Sequence, residues 1–171
     1  MLKARIQARE EKEWLEEMTQ LPKLRTYRKL KLVLKKEEYL MTIADREERR
    51  RMTALRGGTH SLRIETGRWR GELLQDKTCT LCAKGEIEDE EHALLCCSTY
   101  ERERSELFRS ILSNTNYDVK ARINDRDWAL KLLIGGSSLQ RRKRLLIHTE
   151  VAKFIAAMFR KRTRLFEQIQ L

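Results

Sequence analysis

All four cysteines of this 171-residue chain fall in one stretch, CTLCAKGEIEDEEHALLCC (residues 79–97), together with His92, one of only three histidines. Cys79, Cys82, His92, Cys96 and Cys97 make five candidate ligands, one more than a closed tetrahedral metal site takes. One of them is therefore a spectator. Cys79 and Cys82 have the two-residue spacing of a knuckle in which two thiolates share one ion, with Leu81 between them turned towards the core. A nine-residue connection follows, in which Lys84 and Gly85 allow a turn. Glu88, Asp89 and Glu90 then sit where the positive end of a new helix would be. On a continuous α-helix Cys96 lies above His92, whereas Cys97 is rotated roughly 140° away, so ideal helix geometry selects Cys96. Adjacent cysteines are also poor partners for a pair of disulfides, and the first twenty residues lack the apolar run of a secretory signal. The expectation is an intracellular chain carrying one structural Zn²⁺.

Around this segment the pattern is helical, giving an expected fold class of all-α, a small helical domain with a long C-terminal helix. The composition, 40% hydrophobic and 37% charged, suits a water-exposed helical chain, and no apolar run reaches membrane-spanning length. Leu2, Ile6, Trp14, Leu15 and Met18 predict an amphipathic helix that stops at Pro22, the only proline. Leu24, Tyr27, Leu30 and Leu34 predict a second helix over 24–43. A third starts near Asp45 and ends at Gly57 and Gly58. SLRIETGRWRG, with Leu62 and Ile64 alternating with Arg63 and Glu65, reads as an extended arm or short strand. Further helices are expected over 100–112, from Asn124 or Asp125 to Gly135 and Gly136, and from Ser137 or Ser138 to the end. In the last, Ile147, Val151, Phe154, Met158, Leu165 and Ile169 form one stripe, either core or the seat of a protein partner. Three segments result, 1–57, 58–115 and 116–171, forming one continuous domain.

The net charge of +11 is unevenly spread. Residues 21–57 carry twelve Lys and Arg against five acids, residues 141–171 nine against two, and residues 79–100 one against five. Two basic ends flank an acidic cysteine segment, a field that attracts polyanions, nucleic acid above all. The expected contacts are Arg141, Arg142, Lys143 and Arg144 on phosphates, and Trp69 between Arg68 and Arg70. That indole either stacks on an unpaired base or packs under the cysteine knuckle. Lys153, Arg160, Lys161, Arg162 and Arg164 extend the positive charge along the solvent side of the last helix. His60 and His148 have no ligand-spaced neighbour and read as ordinary surface or packed residues. Adjacent polymerase-type aspartates, a Gly-rich phosphate loop and a nuclease-type acid–lysine set are not found, and Asp125 and Asp127 read as a helix start. No enzymatic activity is expected.

LRIETGRWRG followed by CTLCAKGEIEDEEHALLCCSTYERERSEL resembles the cysteine-rich segment downstream of the polymerase domain in LINE-type, non-long-terminal-repeat retrotransposon reverse transcriptases. The likeness extends upstream through PKLRTYRKLKL and EEYL and more weakly downstream through VAKFIAAMF. The family pattern implies Cys79, Cys82, His92 and Cys97 as ligands, with Ser98 where a proline is usual, and so disagrees with ideal helix geometry over the last cysteine. It also implies a supporting role in gripping RNA or DNA with little base specificity.

Overall fold

The computed structural model describes residues 2–31, 33–135 and 139–169. Eight α-helices build it: α1 Leu2–Gln20, α2 Tyr27–Leu30, α3 Tyr39–Thr42, α4 Arg46–Arg56, α5 Arg63–Trp69, α6 Glu101–Thr115, α7 Arg126–Leu130 and α8 Arg141–Ile169. Among the described residues there is no strand, only a single bridge between Thr78 and Ile87. None of these helices is long and apolar enough to cross a membrane.

The long α8 is the spine, packed between α4 and α6. Ile147, Val151, Phe154 and Met158 are buried there against Met52 and Leu55 of α4 and Leu107 and Ile111 of α6, so the predicted stripe is core. Burying four such side chains contributes on the order of 1.5–3 kcal/mol each, which is why α8 seats this face inward. A protein partner has to use another surface. Leu165 is only partly buried, and the side chains of Leu2 and Ile169, Gly136 and the helix start at Ser137 or Ser138 lie outside the described residues. α1 forms as its periodicity predicts, yet among its described side chains it buries only Met18 and leaves Ile6 and Leu15 exposed.

Two predicted segments differ. Residues 24–43 are not one helix: α2 ends where Lys31 turns extended, and α3 is a separate single turn. Glu37 pairs with both Lys31 and buried Arg56, a tertiary pairing that overrides helical spacing. Arg56 also donates to the Ile134 carbonyl. The predicted extended arm is instead α5, because Ile64, Glu65 and Gly67 all face inward. The glycine is tolerated mid-helix because a Cβ there would lie 2.5 Å from the Glu72 carboxylate.

Buried charge joins the cysteine segment to the helices. Glu88 accepts from Arg162 of α8 at 2.8 Å and from the Arg63 amide at 2.8 Å. Arg162, expected on the solvent side, is therefore interior. Glu90 is held by Arg25 at 2.7 and 2.8 Å and by His60 Nε2 at 2.8 Å. Because His60 Nδ1 accepts from the Leu62 amide, Nε2 carries the proton. Burial pushes the Glu90 carboxyl up, but the His60 bond and the Arg25 charge outweigh it and bring the pKa down to about 2. A folded value below the unfolded one means stability present above pH ~4.5 and lost as pH falls towards 2.

α4 shows how local chemistry sets the frame. The Asp45 carboxylate caps it by accepting from the Glu48 amide at 2.8 Å, and the Thr59 amide closes the far end on the Ala54 carbonyl at 3.0 Å. That closure needs Gly58 at φ +64°, where a Cβ would stand 2.1 Å from the Lys23 carbonyl oxygen. Gly58→Ala should cost at least about 2 kcal/mol in urea unfolding of the metal-loaded protein. A change within about 0.5 kcal/mol, as at ordinary surface sites, would contradict this packing.

Candidate metal centre

The cysteine segment begins as a tight hairpin. The Cys79 amide donates to the Glu86 carbonyl at 2.8 Å and the Glu88 amide to the Lys77 carbonyl at 2.9 Å, while Gly85 makes the turn at φ +66°. Cys79 and Cys82 lie on the outgoing side. The returning side leads into the helical turn that carries His92, whose amide is capped by Asp89 at 2.8 Å.

That turn is not α-helical. Residues His92–Cys96 form a π-turn, closed by the Cys97 amide on the His92 carbonyl at 2.8 Å. An i→i+5 turn brings the fifth residue, not the fourth, over its start. Cys97 therefore stands above His92, as the family pattern implied and ideal α-helical spacing did not. Ligand atoms of Cys79, Cys82, His92 and Cys97 all lie within 4.8 Å of one another. Cys96 is buried outside this group, and burial pushes its thiol up.

The separations test whether an ion fits. Cys79 Sγ and Cys97 Sγ are 3.9 Å apart, and Cys82 Sγ is 3.4 Å from His92 Nε2. A tetrahedral ion with metal–sulfur bonds of about 2.3 Å and metal–nitrogen bonds of about 2.0–2.1 Å has edges of about 3.8 and 3.5 Å. These two pairs already sit at such edges and all four donor atoms lie within 4.8 Å of one another, so these four residues can hold one metal ion.

The supports are ordered towards the same end. Glu86 Oε2 accepts from His92 Nδ1 at 2.7 Å, which leaves Nε2 towards the Cys82 sulfur as the nitrogen that a metal ion would take in place of its proton. Glu86 could have been found only from the hairpin register, which places it opposite Cys79 and beside the imidazole. The Leu81 and Thr99 amides stabilise the Cys79 and Cys97 sulfurs, and the Thr99 hydroxyl donates to the Leu81 carbonyl at 2.6 Å. A bond from the Cys79 thiol holds Cys97 well below the ordinary thiol range despite burial, and the same bond, with burial, pushes Cys79 up. Burial pulls His92 down, but its bonds to Cys97 and Glu86 outweigh that and raise it to about 9. The cluster thus retains protons in the space where a cation fits, and metal uptake releases them.

The expected nucleic-acid contacts do not converge. Trp69 is 59% exposed rather than packed under the knuckle. Arg68 is tied to buried Glu65 at 2.6 Å, and Arg70 lies 3.5 Å from Glu72. On α8, Arg141 and Arg144 both bridge Glu38, and Lys143 lies over the Tyr117 ring. Arg142 is exposed. His148 is buried with no hydrogen-bond partner on either nitrogen among the described residues, edge-on to Tyr39, and burial holds it neutral with a pKa brought down to about 4. Asp125 caps α7 by accepting from the Trp128 amide at 3.1 Å, which leaves it a structural task.

Comparison with known proteins finds no matching family model, curated protein or solved structure.

Cys97→Ser should lose stoichiometric metal and Cys96→Ser should retain it, read by elemental analysis of protein purified without chelator. Metal retained by Cys97→Ser and lost by Cys96→Ser would contradict the π-turn assignment. Glu86→Ala, which leaves all four ligands in place, should weaken metal affinity by about 10–100-fold in a competition titration with a chromophoric chelator.

Proposed function

We propose that the chain is a zinc-stabilised module that binds RNA or DNA with little sequence preference and has no polymerase or nuclease activity of its own. Three thiolates and one imidazole at tetrahedral separations are the donors zinc favours, and four protein ligands leave no open position for substrate. The zinc holds the hairpin to the π-turn, contributing apparent binding energy of order 10 kcal/mol coupled to folding of that segment. The resemblance to the tails of LINE-type reverse transcriptases agrees with such a supporting role.

The observation that carries the nucleic-acid reading is the exposed indole of Trp69. It stands at the edge of a groove of about 180 Å³ lined also by Arg50, Arg51 and Phe159. A large aromatic face left in water beside guanidinium groups suits stacking on an unpaired base with phosphates held alongside. Arg142 and Arg160, both exposed, extend the positive surface along α8. The paired arginines are a smaller resource than their number suggests, because Glu38, Glu65 and Glu88 already neutralise part of their charge.

A second reading draws on Leu73 and Leu74, which are exposed close in sequence to Trp69. Three large apolar side chains left exposed within six residues of chain are ones that a protein partner would cover. Trp69→Ala should weaken single-stranded binding by about 1–3 kcal/mol with the salt slope unchanged, whereas Arg142→Gln should lower that slope by about 1. Fluorescence anisotropy across a salt series measures both. Binding that is absent at low salt would transfer the site to the protein-partner reading.

A further inference from the structure

One buried arginine beside the cysteine segment has no anion in direct contact: Cys96, Cys97, Glu101 and Glu103 act on it only from beyond ion-pair distance. Arg104 of α6 is only 7% exposed, its Nη1 is fully buried without a partner, and no hydrogen bond or ion pair reaches its guanidinium among the described residues. The other deeply buried arginines are answered, Arg56 by Glu37 and the Ile134 carbonyl, Arg162 by Glu88 and the Ser61 carbonyl. A buried guanidinium keeps its charge, and a fully buried Nη1 without an acceptor leaves that donor unanswered.

The surroundings point to where that charge enters. Arg104 lines a groove of about 260 Å³ with Lys84, Ser98, Glu101, Ser105 and Lys120. Three cations face a single acid, and two hydroxyls stand among them. Lys84 comes from the metal hairpin, Arg104 from α6 and Lys120 from the loop after it, so three separate segments converge. Lys84 spends one donor on the Cys96 carbonyl at 2.7 Å and keeps two. Lys120 is exposed at the rim with no ion pair. Phe108 forms part of the wall, and an apolar wall strengthens any charge-assisted bond made beside it.

We propose that this groove is a phosphate-binding pocket in which Arg104 supplies the buried guanidinium, Lys84 and Lys120 close over the anion, and Ser98 and Ser105 offer hydroxyl donors. A tetrahedral oxyanion with several acceptor oxygens uses donors arriving from that many directions, whereas a carboxylate with two oxygens would leave some idle. The phosphate is either a phosphodiester of a bound strand or a free phosphate or monoester. The pocket does not depend on the nucleic-acid reading above.

The test compares thermal unfolding of metal-loaded protein in sodium phosphate and in sodium chloride of equal ionic strength. With phosphate about tenfold above its Kd, the midpoint should rise by roughly 3 °C over chloride. Arg104→Met keeps the apolar stem and removes the charge, so it should abolish the rise without lowering the midpoint in chloride. Should that variant fail to fold, Lys120→Gln and Lys84→Gln, at exposed positions, carry the test, each weakening phosphate binding several-fold. A rise no larger than chloride gives, or one that these variants leave intact, overturns the proposal. A labelled single-stranded oligonucleotide then separates the sources. Displacement by phosphate in the native protein, with weaker binding by Arg104→Met, assigns the pocket to strand phosphates. Phosphate binding that leaves the oligonucleotide in place assigns it to the free ion or a monoester.

Discussion

Two buried carboxylates, Glu88 and Glu90, hold the cysteine segment on the helical body. Glu88 ends the returning side of the hairpin and Glu90 opens the helical turn after it, and each is met by donors from other elements: Glu88 by Arg162 of α8, Glu90 by Arg25 and His60. Removing one partner from such a pair costs about 3–5 kcal/mol, because the remaining charge stays buried. The pairs therefore fix direction and register as well as attachment. With Glu88 and Glu90 anchored, Glu86 and His92 on either side of them have little freedom in where they point.

The π-turn follows from the same anchoring. Asp89 caps the His92 amide, and Leu94 and Leu95 within the turn are buried in the core. An α-helical turn would bring Cys96 over His92. The wider turn brings Cys97 there instead and leaves Cys96 as a small buried thiol. A metal ion held by these four residues would supply a reason for keeping a local geometry that is rare in isolation. Glu86 completes the set by fixing which imidazole nitrogen faces the sulfurs.

Much of this was legible in the sequence. The cysteine spacing and Gly85 announced a knuckle, Asp45 and the paired glycines bounded α4, and the stripe from Ile147 to Met158 marked the inner face of α8. The failures share one cause. Residues 24–43 and 61–71 were read from local periodicity, but Glu37, Glu65 and Glu88 impose long-range ion pairs that no local pattern encodes. Arg162 looked like one more solvated cation for the same reason. The choice between Cys96 and Cys97 rested on turn geometry, and a π-turn has no reliable signature in hydrophobic spacing. Glu86 became visible only once the hairpin register paired Thr78 with Ile87.

The charge asymmetry takes on a different meaning once these pairs are known. The acidic cysteine segment is an internal counter-ion for the basic helices, and the positive surface that remains is smaller and more local than the net charge suggests. The central claim is that one ion, closed off by three sulfurs and one imidazole, locks the hairpin to the π-turn. X-ray absorption at the zinc edge of the purified protein tests it most directly. The account predicts three sulfur neighbours at about 2.3 Å and one imidazole nitrogen at about 2.0–2.1 Å. A shell of four sulfurs, or one containing water or carboxylate oxygen, would contradict it.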